Sequence, residues 1–137
     1  MAIFSNGRAE VLTNELGQSL VPSVVALGDD DVLLVGAAAA EVAVRRPEQA
    51  AARFKPDMAT ERVRKLGERE MTPVALSALI LRELKAIAEK RLQAPVTHTV
   101  ITVPAWFREP QRAATVEAAQ VAGLHIDRVL NEPTAAA

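Results

Sequence analysis

The sequence contains no cysteine and no tyrosine, and only three phenylalanines and one tryptophan occur among its 137 residues. The absence of cysteine excludes disulfide bonds and thiolate chemistry. Half of the residues are nevertheless hydrophobic, so the core is expected to be aliphatic. A chain of this length is expected to form a single domain.

Neither sign of charge is in excess, because 16 basic residues face 17 acidic ones and the formal net charge is −1. Nucleic-acid-binding proteins normally carry a clustered basic excess, so no nucleic-acid partner is expected. No apolar run approaches the roughly 18 residues of a membrane helix, and the N-terminal segment lacks the features of a signal peptide. We therefore expect a cytoplasmic protein without a membrane partner. The two histidines, His98 and His125, lie far apart in the sequence without metal-ligand spacing, and we interpret them as residues flanking strands.

The first half of the chain alternates short strands with turns and short helices. Asn6-Gly7 is a strong hairpin signal, because both positions tolerate a positive φ angle. A second, small hairpin is predicted within the charged segment 61–71, around Gly67. The remaining elements predicted here are strands over Val21–Leu27 and Val32–Val35 and helices over Ala37–Arg45 and Glu48–Phe54.

A long helix is predicted to begin at Thr72-Pro73 and to end near Leu92. Threonine is a good N-cap, and proline suits the first helical position. Apolar residues then recur with the period of an α-helix and define one stripe. The stripe consists of Leu76, Leu79, Ile80, Leu84 and Ile87.

The last forty residues predict a β-α-β unit. Thr99–Val103 is a β-branched run, typical of a strand covered on both faces in a parallel sheet. A helix follows from Glu109 to Gly123, with an alanine-rich face that can approach a sheet closely, and Ile126–Leu130 forms the second strand. Open α/β sheets bind ligands at the carboxyl ends of their strands, so those ends are the expected site.

Four residues near these strand ends and helix breaks are candidates for chemistry. Pro104 is either a hinge or a strand terminator, and Glu132 either holds a metal-bound water or complements a helix N-terminus. Lys55 either contacts phosphate or is a solvated surface lysine, and Arg112 either links its helix to a partner surface or is simply solvated. Both common nucleotide-binding fingerprints, G-x-G-x-x-G and G-x-x-x-x-G-K-[ST], are absent.

Several motifs, taken in order and spacing, resemble the N-terminal ATPase domain of the heat shock protein 70 chaperone family. The strongest lie in the last forty residues; weaker matches and a short connection over residues 56–71, similar to the compact bacterial branch of the family, extend the resemblance over essentially the whole chain. The matching segments are Leu20–Val25, Leu34–Ala38, Phe54-Lys55, Val100–Phe107, Gln111-Arg112, Ala122–Leu124 and Asn131–Ala137.

The resemblance implies an α/β, actin-like ATPase fold of the ribonuclease H-like type, with this chain supplying part of lobe I. Residues 1–20 and 94–137 would form the base subdomain, and residues 21–93 an inserted upper subdomain. Lys55 would contact the γ-phosphate or orient the attacking water, and Glu132 would lie near the water shell of Mg²⁺. Pro104 and Arg112 would form the interdomain switch. The cofactors implied are ATP or ADP with Mg²⁺, and the partners are unfolded peptides and co-chaperones.

The chain also departs from the family pattern. Pro56-Asp57 follows Lys55 where the family usually has an arginine, Arg108 replaces a capping asparagine, and Trp106 replaces another aromatic residue. In the strand order 3-2-1-4-5 that the resemblance implies, the chain offers candidates for every strand except the central strand 1 and its phosphate loop. We therefore expect an incomplete lobe that binds ATP weakly or not at all by itself, and that either rearranges its strand pairing or pairs with another chain as a homo-oligomer.

Alternative functions are a non-enzymatic interaction or scaffold module and another actin-like ATPase or sugar kinase; the Asn131–Ala137 corner argues against the latter.

Overall fold

Four small sheets and four α-helices make up the computed structural model, which describes residues 1–137. The strands are β1 (Ala2–Ser5), β2 (Arg8–Val11), β3 (Val24–Leu27), β4 (Leu33–Val35), β5 (Ala50–Ala52), β6 (Arg64–Leu66), β7 (Arg69–Met71), β8 (His98–Val103) and β9 (His125–Asn131). The helices are α1 (Ala37–Arg45), α2 (Pro73–Leu92), α3 (Glu109–Val121) and α4 (Glu132–Ala136). Short 3-10 turns cover Asp29–Asp31, Pro47–Gln49 and Lys55–Asp57.

The N-terminal strands β1 and β2 form the predicted antiparallel hairpin. Its turn residues Asn6 and Gly7 adopt φ angles of 53° and 75°, the left-handed conformation that made the Asn-Gly pair a turn signal. The hairpin pairs with no other strand. An ion pair between Arg91 and Glu10 joins it to α2, and a second pair, between Lys90 and Glu15, joins α2 to the turn that follows β2.

An antiparallel sheet of order β4-β3-β5 occupies the middle of the chain and corrects one prediction. Residues Glu48–Phe54 were expected to form a helix, but a 3-10 turn ends at Gln49 and β5 follows it. Ala51 lies opposite Val25 in the ladder and is 3% exposed. Pairing with β3 therefore overrides the helix propensity of the three alanines.

The main hydrophobic core lies between this sheet, the hairpin β6–β7 and α2. The hairpin confirms the prediction around Gly67, which has a φ angle of 58°. Apart from one phenylalanine, the buried members of this core are aliphatic, as the composition indicated. They are Val25, Leu27, Ala51, Phe54, Leu66, Leu76 and Ile80.

Helix α2 begins and ends where the sequence predicted. The Thr72 hydroxyl accepts a hydrogen bond from the Ala75 amide at 3.1 Å, which satisfies one of the unpaired N–H groups at the helix start. Leu76 and Ile80 are buried on the predicted stripe, and the helix stops at Gln93, which is left-handed with a φ angle of 52°. None of the four helices, α2 included, combines the length and apolar character needed to cross a bilayer.

The C-terminal β-α-β unit consists of the parallel pair β8–β9 with α3 between its strands. Ile101 and Ile126 pack against a cluster that contains the α3 residue Ala119, as expected for an alanine-rich helix face. The expectation that β8 is covered on both faces was wrong, because Val100 is 51% exposed and exposed residues alternate along the strand with partly or fully buried ones. The helices of this chain cover one face of the strand pair only.

Candidate functional site

The carboxyl ends of β8 and β9 lie side by side, because the two strands are parallel and Val103 pairs with Asn131. Pro104 directly follows β8, and Glu132 directly follows β9 as the first residue of α4. Two of the predicted site residues are thus brought to the carboxyl end of the strand pair, where α/β proteins bind their ligands.

Lys55 is the third predicted residue at this end of the strand pair. Its Nζ atom lies 3.6 Å from Oε1 of Glu132, and both side chains are about half exposed. An exposed pair of this kind stabilises the fold by only about 0–1 kcal/mol. The contact therefore contributes little to stability, but it presents a cation and a carboxylate together to solvent at the edge of the strand pair.

The position of Lys55 depends on Asp57, which sequence reasoning did not identify. The side chain of Asp57 is 9% exposed and forms ion pairs with Arg64, on β6, and with Arg62, at 3.5 Å. These contacts bind the 3-10 turn Lys55–Asp57 to the neighbouring hairpin. A buried carboxylate without a charged partner is costly, so Asp57 is expected to stay paired with these arginines. The pairing in turn holds the turn that carries Lys55.

Arg112, on the first turn of α3, is half-buried and bound to the end of β9. Its guanidinium donates one hydrogen bond to Oδ1 of Asn131 at 2.8 Å and another to the carbonyl of Val129 at 2.9 Å. Its hydrogen bonds go to β9 and not to Lys55 or Glu132. Arg112 thus fixes the backbone that precedes Glu132, and does not itself join the charged pair.

Pro104 lies at the same end of the strand pair, in the turn that follows β8. Its carbonyl accepts a hydrogen bond from the amide of Phe107 at 3.0 Å, which forms the turn leading from β8 towards α3. Phe107 is buried with Met58, Val103 and Ala114. The turn after Pro104 is therefore anchored by a buried side chain just before α3.

A cavity of about 1150 Å³ separates the N-terminal hairpin from the β-α-β unit. All residues of β1 and all residues of β8 line it, together with Lys55 and Pro104. β1 pairs only with β2, and β8 pairs only with β9, so each of them has one edge without a strand partner. Two outcomes were expected from the sequence, a rearranged strand pairing or pairing with another chain. The structure does not show the first, because no strand closes this gap.

The chain matches a protein-family model described as Hsp70 protein. The two matched ranges, residues 1–62 and residues 55–137, together span the whole chain. Both matches include Lys55, and the second also includes the strand pair with Pro104, Arg112 and Glu132.

Proposed function

Because the chain belongs to the Hsp70 family, we propose that it forms part of the ATP-binding and ATP-hydrolysing domain of a molecular chaperone. Family membership implies the actin-like ATPase fold, and the structure is mixed α/β with small sheets. Within that fold, we assign residues 1–20 and 94–137 to the base of lobe I and residues 21–93 to the inserted upper subdomain. The cytoplasmic location expected from the sequence stays a prediction.

The observation that carries this proposal is the 3.6 Å contact between Lys55 and Glu132. The oxygen of a carboxylate suits Mg²⁺, which commonly retains several waters when it binds to proteins. A lysine ammonium suits a phosphate group as a point charge. The carboxylate and the ammonium together fit the metal and γ-phosphate side of a nucleotide site. The chain has neither of the common phosphate-loop fingerprints.

In the proposed mechanism, the bound magnesium nucleotide supplies the phosphoryl group that is transferred to water. Lys55 would contact the terminal phosphate or orient the attacking water, and its positive charge would stabilise negative charge that develops in the transition state. Glu132 would hold the metal ion through a bound water. Arg112 and Pro104 act at a distance from the chemistry, because one holds the end of β9 and the other leads into α3. We propose that they relay the nucleotide state towards a peptide-binding partner domain.

Two measurements test this function. The full-length gene product that contains this chain is expected to hydrolyse ATP in the presence of Mg²⁺ and to do so faster when an unfolded peptide is added. The 137-residue chain alone is expected to bind ATP weakly or not at all in a calorimetric titration. Turnover stimulated by a sugar instead of a peptide would favour a kinase of the same fold, and tight ATP binding by the isolated chain would contradict the view that it carries one side of the site.

A second candidate function, self-association as an interaction module, is favoured by the free edge of β8. Its sequence, His-Thr-Val-Ile-Thr-Val, contains no proline, lysine or acidic residue. Natural proteins commonly use such residues to protect an edge strand from pairing with another chain. We therefore propose that β8 pairs with an extended segment of a second copy of this chain.

A charge at Val100 is expected to prevent this association. Val100 is 51% exposed on β8, so V100K places an ammonium beside the unpaired edge without filling the core. Sedimentation at micromolar concentration should show dimers or larger species for the original chain and monomers for V100K. The matched control is V44K, since Val44 lies on α1 and is 85% exposed. An original chain that sediments only as a monomer would exclude this candidate.

A further inference from the structure

Three side chains capable of binding a metal ion meet at the amino end of the β8–β9 pair, at the opposite end from Lys55 and Glu132. Nδ1 of His98 lies 2.9 Å from Oδ1 of Asp127, and Nε2 of His125 lies 3.8 Å from the same oxygen. The two imidazole rings are in edge-to-face contact, with centroids 4.9 Å apart. All three candidate ligand atoms lie within 4.8 Å of one another.

The pairing of the two strands creates this cluster. His98 is directly opposite His125 in the parallel ladder, although the sequence separates them by a whole helix. The register then shifts, because Thr99 pairs with Ile126 while Val100 pairs with Arg128, so that Asp127 has no opposite residue. A bulge of this kind re-aims a side chain. Here the carboxylate of the unmatched residue contacts both imidazoles, so the fold brings together two histidines that lack metal-ligand spacing in the sequence.

The ligand set and its spacing match those of a zinc site. Zinc binds imidazole nitrogens and carboxylate oxygens at about 2.0–2.2 Å in tetrahedral geometry, which separates neighbouring ligand atoms by about 3.4 Å. The two distances to Asp127 lie on either side of that value. Closing the site around an ion therefore requires shifts of an ångström or so in exposed side chains, while the backbone keeps its register.

We propose that His98, His125 and Asp127 bind one transition-metal ion of the Zn²⁺ type. Three protein ligands leave a fourth position open to water or to an exchangeable ligand. Mg²⁺ and Ca²⁺ prefer ligand sets made of oxygen, so a pair of imidazoles discriminates against them. Because the ion would connect β8 to β9, its binding also stabilises the strand pair whose other end binds Arg112 and directly precedes Glu132. The proposal of a metal site does not rest on the proposed nucleotide function.

The test is a calorimetric titration of the 137-residue chain, without an affinity tag, with Zn²⁺ alone. One equivalent of Zn²⁺ is expected to bind, and the imidazole resonances of both histidines are expected to shift together in NMR spectra. The substitutions H98A, H125A and D127N should each weaken binding by about tenfold or more. All three side chains are substantially exposed, so the variants are expected to fold, which circular dichroism can verify.

The control variant is D30N, which removes an exposed carboxylate from the acidic turn Asp29–Asp31. It should bind Zn²⁺ like the original chain. The proposal is overturned if Zn²⁺ does not bind saturably, or if H98A and H125A retain the affinity of the original chain. An equal response to Mg²⁺ and Zn²⁺ would overturn it as well, because carboxylates alone would then account for the binding.

Discussion

Replacing Lys55 by alanine in the full-length gene product is expected to lower the rate of ATP hydrolysis by about 100-fold or more. Removal of one pre-organised group that stabilises developing charge typically has an effect of this size. The fold should be retained, because the ion pair with Glu132 is about half exposed and such pairs contribute little to stability. Single-turnover measurement of ATP hydrolysis, with thermal unfolding measured in parallel, separates the loss of chemistry from a loss of fold.

The matched control for this substitution is K65A. Lys65 is also an exposed lysine paired with a glutamate, at 3.7 Å from Glu70, but it lies on the hairpin β6–β7. Turnover by K65A should stay close to that of the original protein. The exchanged variant, K55E combined with E132K, restores opposite charges and should stay inactive. If K55A or the exchanged variant hydrolyses ATP at nearly the original rate, the contact is structural and the proposed role of Lys55 is wrong.

Replacing Leu76 by alanine is expected to lower the free energy of unfolding of the chain by about 2–5 kcal/mol. Leu76 is fully buried on α2, where it packs with Val25, Phe54 and Leu66 of the main core. Truncation removes buried apolar surface and leaves a cavity between the helix and the sheet. A loss of this size is a large fraction of the roughly 5–15 kcal/mol that stabilises a typical domain.

Urea denaturation followed by circular dichroism measures this effect. The control is L20A, because Leu20 is 82% exposed and the same truncation there should change the free energy of unfolding by less than about 0.5 kcal/mol. Equal midpoints for the two variants would show that Leu76 does not belong to the folded core. A larger effect at Leu20 would indicate that this residue is covered in solution, for example by a second copy of the chain.

The sequence was most informative where short-range signals decide the structure. The helix start at Thr72-Pro73 and the hairpin turns at Asn6-Gly7 and Gly67 are determined by local conformational preferences, and all were predicted. The segment Ala50–Ala52 was predicted wrongly because its alanines favour a helix, whereas the ladder with β3 makes it a strand. That pairing depends on residues more than twenty positions away, which a local pattern does not contain.

The candidate sites show the same limit. The resemblance to a known family identified Lys55 and Glu132 singly, but their contact depends on how the chain folds back on itself. The importance of Asp57 was missed because its partners lie outside its own turn, Arg64 on β6 and Arg62 in the segment that leads to it. A signal for the histidine cluster was nevertheless present, since each histidine directly preceded a predicted strand. Parallel pairing of those strands would have placed the two residues opposite each other.

The parallel arrangement of β8 and β9 also has a kinetic consequence. Parallel strands cannot be joined by a tight turn, so the chain between them must first form its crossover. Helices form in about a microsecond, whereas pairings between distant segments are slow. During that interval β8 is an unpaired, β-branched segment of the kind that promotes aggregation. When the strands finally pair, the same folding event places His98 beside His125 at one end and Val103 beside Asn131 at the other. The histidine cluster and the strand end that precedes Glu132 should therefore be acquired, and lost, together.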